Sequence, residues 1–563
     1  MAGDVFTLIA GGKAGYGIRK AGSVAARLFA RMGRSVFQMD EYPSLIRGGH
    51  NFCAVSTAAG PLTSNYMKAD LVVCLDQRSV DTHQGHLSER GVMVLDDKAN
   101  ATSNADRRTS NSGLPAFVSL PFSSTARQYS EPDLITGVGV AAVLAAAIGM
   151  SEDELTKLIG QEYRRGTEEN TAYARTIFNA ALPVLAGRFK LEGGDKERPL
   201  LSGNEAIALG AVAAGLDIFF AYPMTPASSI LTFLAGKARE FGIVAVHPEN
   251  EIAVMNMAIG AATAGARAMV ASSGGGFALM QEALSLAGMA EVPLLCLLSS
   301  RPGPSTGLPT YTSQGDLNFA LNQGHGEFPR VVASPGSVEE AYLLAAELMS
   351  LAWEFQTPTI LLTEKHLSEC HVTVELDTGK AAWAEQVAAA PGPYHRYLDA
   401  PTGVSPLAFP PWAELIKWNS YEHDEDGFTT EDAGISTRMS DKRRRKGESL
   451  SDHVRTLRTV NTFGDRGPVI MTYGSTTLSV LEALRCGGIG ATVVQPVYLE
   501  PFPAWELSRY AGQEVTVVEQ SSTGLFAALL KEKAGITASR VIKRYDGRPF
   551  APEELAAELM EAH

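Results

Sequence analysis

The sequence predicts a multidomain α/β protein, and three observations carry that expectation. Short apolar runs alternate with helix-patterned stretches along most of the chain. Glycine and proline gather directly after several of those runs, where strands must turn into helices. The 563 residues suffice for three or four domains. The alternation falls into three blocks, residues 1–186, 201–380 and 466–563. A charged, glycine-bearing linker at 187–200 and a weakly patterned stretch at 381–465 separate them. Strands alternating with helices indicate layered α/β architecture.

In the first block, residues 5–10 predict a strand, followed by Gly11-Gly12-Lys13-Ala14-Gly15-Tyr16-Gly17 and a helix to Met32. Glycines in such a turn let backbone N–H groups approach a phosphate, although the spacing is not Gly-x-Gly-x-x-Gly. Further strands are expected at 36–39, 71–75 and 92–95. The second block opens with a helix over 203–214, then a strand at 218–221 that enters Tyr222-Pro223-Met224-Thr225-Pro226. Two prolines make that turn rigid and aim the Thr225 hydroxyl. Strands at 269–271, 294–298 and 359–362 and a helix over 342–353 complete it. The last block alternates again, with strands at 469–472, 491–495 and 514–519.

Composition excludes several function classes. A formal charge of −14 argues against nucleic acid as partner. No run of about 20 apolar residues is present, so no membrane span is expected. Residues 6–17 are too short and glycine-rich for a targeting segment. Five scattered cysteines without a Cys-x-x-Cys pair suit a reducing cytoplasm and predict neither a metal nor a cluster site in this chain. The acidic piece at 422–426 is followed by the basic run Lys442-Arg443-Arg444-Arg445-Lys446, read as a solvated helix face.

The chemistry concentrates in residues 247–280. Glu249 and Glu251 open an apolar helix rich in small residues, among them Ala258, Gly260, Ala262 and Gly265. A carboxyl group beside dry surface favours its protonated form. Either acid could instead complement the helix dipole. Ser272-Ser273-Gly274-Gly275-Gly276 then turns the chain into another helix.

Several motifs resemble one family in order along nearly the whole chain. Tyr222-Pro223-Met224-Thr225-Pro226, the stretch bearing Glu251, Gly303-Pro304-Ser305-Thr306-Gly307-Leu308-Pro309-Thr310 and Gly324-His325-Gly326-Glu327-Phe328-Pro329-Arg330 resemble the α subunit of 2-oxoacid:ferredoxin oxidoreductases. Glu41-Tyr42-Pro43-Ser44-Leu45-Ile46-Arg47-Gly48-Gly49-His50 resembles that family's γ domain, here fused ahead of α. The acidic-then-basic pieces at 422–432 and 441–446 are similar to the fused 2-oxoglutarate-type branch. Val518-Glu519-Gln520 followed by Gly524 resembles the family's transketolase C-terminal-like domain.

The resemblance implies a γ-type domain, a pyrimidine-binding domain for thiamine diphosphate and a transketolase C-terminal-like domain. It implies catalytic roles for Glu251, Thr225 and Arg301. Glu251 would activate the cofactor's aminopyrimidine, with Glu249 as the competing assignment. Tyr222, Pro223, Ser273 and Gly274 would bind the cofactor, and Thr225, Arg301, Ser305 and Thr306 the substrate. Coenzyme A would lie near Gly12, Gly15, Gly17 and Arg47, although Lys13 and Tyr16 depart from the commoner pattern. No Gly-Asp-Gly and no cysteine cluster occur. Mg²⁺, the pyrophosphate site and a [4Fe-4S] cluster are therefore expected on a separate β subunit, in an α2β2 assembly that reduces ferredoxin. The expected reaction is oxidative decarboxylation of 2-oxoglutarate to succinyl-CoA and CO₂, or its reverse. The alternatives are another 2-oxoacid (pyruvate, aryl or branched-chain) or a non-catalytic scaffold subunit.

Overall fold

A computed structural model describes residues 4–44, 49–100, 116–389, 393–412 and 414–561. Among the described residues three sheets organise the chain, each built mainly from one block.

The first sheet has eight strands, in the order Phe117–Leu120, Leu87–Asp96, Ala69–Cys74, Phe6–Lys13, His50–Ala58, Ser35–Glu41, His371–Thr373 and Leu200–Ser202. Its outer half is parallel, as the alternation predicts. His50–Ala58, which the strand reading missed, runs antiparallel between Phe6–Lys13 and Ser35–Glu41. Helices Ile18–Arg31, Val138–Ile148 and Thr167–Leu185 contribute to the core on its face. Val138–Ile148 is apolar all round because it is covered on nearly every side. The last two strands belong to the second unit, and Val372 pairs with both Phe37 and Leu201. The first two units therefore share one hydrogen-bonded sheet.

The second sheet follows the order Tyr498–Glu500, Val331–Ala333, Pro358–Glu364, Leu294–Ser300, Ala268–Ser272, Ile218–Phe220 and Val244–Val246. All its pairs are parallel except the edge strand Tyr498–Glu500, which comes from the last unit. A parallel sheet covered on both faces needs continuous apolar strands. Leu295 and Leu297 enter one core, whereas Leu294, Cys296 and Leu298 enter the other. The third sheet runs Val460–Phe463, Thr492–Pro496, Val469–Met471, Val515–Glu519 and Arg540–Lys543, with only its first edge antiparallel.

The 381–465 stretch, expected to be irregular, carries the 22-residue helix Ala433–Val454, and the Asp432 side chain caps it by accepting from the Ile435 amide at 2.8 Å. The basic run is also not a solvated face. Lys442 and Lys446 are four residues apart and so share one side of the helix. Both are buried, and their ammonium groups reach Glu291 at 2.8 and 2.9 Å. Burial pushes the Glu291 carboxyl up, but the two ammonium groups outweigh it and hold it well below the usual range. Arg443 pairs with Glu422 at 2.6 Å, joining the acidic and basic pieces that the sequence sets apart. No helix among the described residues is long and apolar enough to cross a membrane.

Candidate active site

In the second sheet the strand order reverses between Ile218–Phe220 and Ala268–Ser272. Open parallel sheets place ligands outside the carboxyl ends of strands at such a reversal. The two ends there are the two-proline turn and Ser273-Gly274. Tyr222 is 39% exposed, and its ring lies 5.7 Å from that of His247. Pro223 is exposed, and Thr225 is half-buried. The turn is held from behind by Asn204, a fully buried residue that sequence reasoning missed. Its Nδ2 donates to the Pro226 carbonyl and to Ser229 Oγ, each at 2.8 Å.

Glu251 and Glu249 have different surroundings. Asn250 caps helix Glu251–Thr263 by accepting from the Ala253 amide at 2.9 Å, so Glu249 does not act as the cap. Glu249 is exposed, whereas Glu251, the first helical residue, is 3% exposed. Glu251 Oε1 is buried and has no hydrogen-bond partner among the described residues. The backbone of Gly276 packs directly beneath it. A Cβ there would collide with both Ser272 Oγ and Glu251 Oε1. Ser273 Oγ is a second buried polar atom without a partner. Ser272 and Gly276 are the residues shown to approach the Glu251 carboxyl, and of the small residues expected to surround it, Ala258 and Ala262 are buried. The small residues begin about two turns further along the helix, at 3.6 residues per turn, and Gly260 and Ala264 are exposed.

Arg301 leaves the sheet just after strand Leu294–Ser300 and reaches across to the turn. Its Nη1 donates to the Thr225 carbonyl at 2.8 Å. Among the described residues it makes no ion pair, and four guanidinium N–H donors remain beyond that bond. Burial pushes the guanidinium below its ordinary value, opposed by the charge of Asp316. The Asp316 carboxylate accepts from Ser300 Oγ at 2.7 Å, and burial pushes its pKa up. Gly274 lies against it, where a Cβ would stand 2.8 Å from Asp316 Oδ2. Ser305 and Thr306 sit on the exposed part of the same loop. Tyr222, Thr225, Glu251, Ser273, Gly274 and Arg301 thus gather at one sheet reversal. Asp316 was not foreseen, and Gly276 was read only as part of the Ser272–Gly276 turn.

The coenzyme A candidates lie on the first sheet. Gly15 and Gly17 adopt positive φ (102° and 71°) in the turn before helix Ile18–Arg31, and Gly12 packs against Tyr16 and Ile18. Arg47 falls outside the described residues. Lys13 pairs with Asp133 at 3.2 Å and stands over the Tyr16 ring. His50 packs against Gly11, and its Nε2 lies 2.9 Å from His83 Nε2. Burial pushes the His83 imidazole down to about 3.

Two family models match the chain. Residues 209–441 match "Pyruvate flavodoxin/ferredoxin oxidoreductase, thiamine diP-bdg", and residues 7–180 match "Pyruvate ferredoxin/flavodoxin oxidoreductase". The chain is 30% identical to the 2-oxoacid:ferredoxin oxidoreductase subunit alpha of a Sulfolobus species, over 98% of this chain and 96% of that one. It is 33% identical to the 2-oxoglutarate synthase subunit KorA of Archaeoglobus fulgidus, over 65% of this chain and 99% of that one. Among solved structures it resembles the 2-oxoglutarate:ferredoxin oxidoreductase of Magnetococcus marinus, with TM-score 0.87 and 26% identity over 99% of both chains. Full-length similarity to a named α subunit, together with both family models, places this chain in the 2-oxoacid:ferredoxin oxidoreductase family, as an α-subunit enzyme chain.

Proposed function

We propose that this chain is the catalytic subunit of an oxidoreductase that converts 2-oxoglutarate, coenzyme A and oxidised ferredoxin to succinyl-CoA, CO₂ and reduced ferredoxin, or runs the reverse. The observation that carries the reading is the unpartnered Glu251 Oε1, cradled by Gly276 at the sheet reversal beside Ser273. Both buried polar atoms suit a polar ring with hydrogen-bonding nitrogens, so the residues fit the pyrimidine of thiamine diphosphate. When bound, that group supplies the nucleophilic carbon and the electron sink for decarboxylation. Glu251 offers Oε1 to the pyrimidine and holds or moves a proton at that atom. Gly276 fixes the carboxyl's position, and Ser273, Gly274, Tyr222 and Pro223 line the pocket. Arg301 grips the substrate carboxylate with its uncommitted N–H groups, assisted by the Thr225 hydroxyl.

Three large apolar side chains near the site in sequence are exposed. Ile252 and Met257 on the Glu251 helix, and Leu279 nearby in sequence to Gly276, keep about half of their surface exposed (45–52%). These exposed side chains are compatible with docking of a β subunit that brings Mg²⁺, the pyrophosphate site and the [4Fe-4S] cluster, in an α2β2 complex, as the family resemblance implies. Coenzyme A is assigned to the glycine turn at Gly12–Gly17 on resemblance. The choice of 2-oxoglutarate over pyruvate and aryl or branched-chain 2-oxoacids rests on the similarity to KorA and to the Magnetococcus marinus enzyme. A panel of 2-oxoacids, assayed on the chain co-purified with its β partner and a one-electron dye, tests both levels. The highest kcat/KM is expected with 2-oxoglutarate. A higher value with another 2-oxoacid overturns the substrate. No thiamine diphosphate binding to the complex by calorimetry leaves the scaffold reading.

A further inference from the structure

The third sheet has a reversal of its own. Its strand order turns between Val469–Met471 and Val515–Glu519, so the rule that located the candidate active site also marks residues 472–477 and 520–522. A side chain from the second unit fills that crevice. Gln314 is 2% exposed, and its Nε2 donates to the Tyr473 carbonyl at 2.8 Å. Its Oε1 accepts from the Gln520 amide at 2.8 Å, and its own amide donates to the Gln520 carbonyl at 2.8 Å. Side chain and main chain of one residue therefore bind the ends of both strands. Gly474 closes the crevice, since a Cβ there would stand 3.0 Å from Gln314 Nε2 and 2.9 Å from Glu364 Oε1. Two residues earlier, the Thr312 amide donates to the Gly547 carbonyl, beyond strand Arg540–Lys543, at 2.9 Å.

Residues 312–314 belong to the loop that begins at Arg301. Within it, the Leu308 amide donates back to the Pro302 carbonyl at 3.0 Å, which folds the loop onto its own start. At its far end, Asp316 returns to the site through Ser300 and Gly274. The loop thus runs from the candidate substrate arginine, over the strand ends of the C-terminal unit, and back to the cofactor side. Among the hydrogen bonds described for that crevice, those of Gln314 are the ones that join the loop to both halves of the reversal.

We propose that Gln314 is a positioning residue for the 2-oxoacid: it fastens the 301–316 loop into the crevice of the C-terminal unit and so sets where Arg301 meets the substrate carboxylate. The C-terminal unit then acts on substrate binding without supplying a residue that touches the substrate. This rests on the assignment of Arg301 to the substrate carboxylate. Gln314→Met keeps the length and apolar bulk of the side chain and removes its side-chain hydrogen bonds to Tyr473, Gln520 and Glu364. Gln314→Leu, which also lacks side-chain hydrogen-bonding groups, serves the same test if the methionine variant fails to assemble.

The test is steady-state kinetics on the complex with the β subunit, with Gln314→Met, Arg301→Lys and the double variant, beside a titration of thiamine diphosphate. KM for the 2-oxoacid is expected to rise about 10-fold in Gln314→Met, while kcat falls less than 3-fold and thiamine diphosphate affinity is unchanged. A residue that acts through Arg301 has no independent effect once Arg301 is altered, so the double variant should match Arg301→Lys alone. Hydrogen exchange at the Leu308 amide should speed at least 10-fold in Gln314→Met. An unchanged KM in Gln314→Met beside an impaired Arg301→Lys overturns the tether and leaves the arginine assignment standing. Additive losses in the double variant also overturn it. An unchanged KM in Arg301→Lys overturns the arginine assignment, and the tether to the substrate with it.

Discussion

The second and third sheets present the same topological opportunity and use it differently. Both are parallel around a strand reversal, and both carry turns of small and polar residues at the carboxyl ends. At the first reversal, Tyr222 and Pro223 form an exposed lip, and Glu251 Oε1 and Ser273 Oγ face no partner. At the second, Gln314 is buried and hydrogen bonded to both strand ends. Unpaired polar atoms do not separate the two, because Ser475, Thr476 and Gln520 also keep buried atoms without partners. What separates them is the neighbour. A side chain of the protein itself fills one crevice, and the other ends in an exposed lip at Tyr222 and Pro223. Sheet topology therefore locates candidate crevices, and the packing around each decides which is a site.

The sharpest way to break this comparison is at Glu251. Glu251→Gln keeps the size and cradle of the side chain but removes the acid. Turnover of the complex should fall by roughly 10²–10⁴-fold, the scale of a positioned acid–base group. Glu249→Gln, at an exposed position outside the helix cap, should leave turnover within about 2-fold, as is usual for a surface change away from special features. If the two variants exchange these outcomes, the first crevice has been assigned to the wrong carboxylate.

Gly276→Ala sharpens the same point without touching a titratable group. The new Cβ would meet Ser272 Oγ and Glu251 Oε1, so the carboxyl must move. A displacement near 1 Å can cost about 10²-fold in rate, and a loss on that order is expected with the thermal midpoint little changed. Because residues 274–276 are all glycine, Gly275→Ala is the control: a Cβ there meets nothing within 4 Å. Equal activity of the two variants would remove the cradle from the argument.

Much of the fold was legible because the second sheet imposes a simple rule on its strands. Leu294–Ser300 and Pro358–Glu364 are buried at every position and read as apolar runs. His50–Ala58 was not legible, because an interior antiparallel strand can bury Ser56 and Thr57 once they are hydrogen bonded to Thr7, Arg34 and the Ser35 carbonyl. The basic run failed for a related reason. Charge patterning along a helix cannot reveal that Glu291, some 150 residues earlier, stands opposite Lys442 and Lys446. Within the candidate site, the motifs named Tyr222, Thr225 and Arg301, whereas two neighbouring acids could not be ranked locally. The structure separates the two by burial: Glu251, the first residue after the Asn250 cap, is 3% exposed, and Glu249 is exposed. Gln314 had no local signal at all, since its partners Tyr473 and Gln520 lie 159 and 206 residues away.

The smallest expected effect belongs to the second crevice and concerns stability. Glu364 ends strand Pro358–Glu364, is 2% exposed, and accepts from the Ser475 amide at 2.6 Å beneath Gln314. Burial pushes its carboxyl up to about 7, with the bonds from Ser475 and Gln314 opposing. An acid whose folded value lies above its unfolded value binds more protons folded than unfolded in the interval between them. Stability must then fall as pH rises through that interval, from about 4.5 to about 7, and level off above it, once the folded carboxyl is ionised as well. This is the reverse of an ion-paired carboxylate. Glu364→Gln retains an acceptor for the Ser475 amide and carries no charge at any pH. Thermal midpoints of the chain at pH 5 and pH 8 should therefore drop by a few degrees more in the parent than in Glu364→Gln. The other buried acids are common to both proteins and cancel in the difference. Parallel pH profiles would mean that Glu364 is already ionised at neutral pH inside the filled crevice. Gln314 would then be answering a charge there, and the two crevices would differ in electrostatics as well as in occupancy.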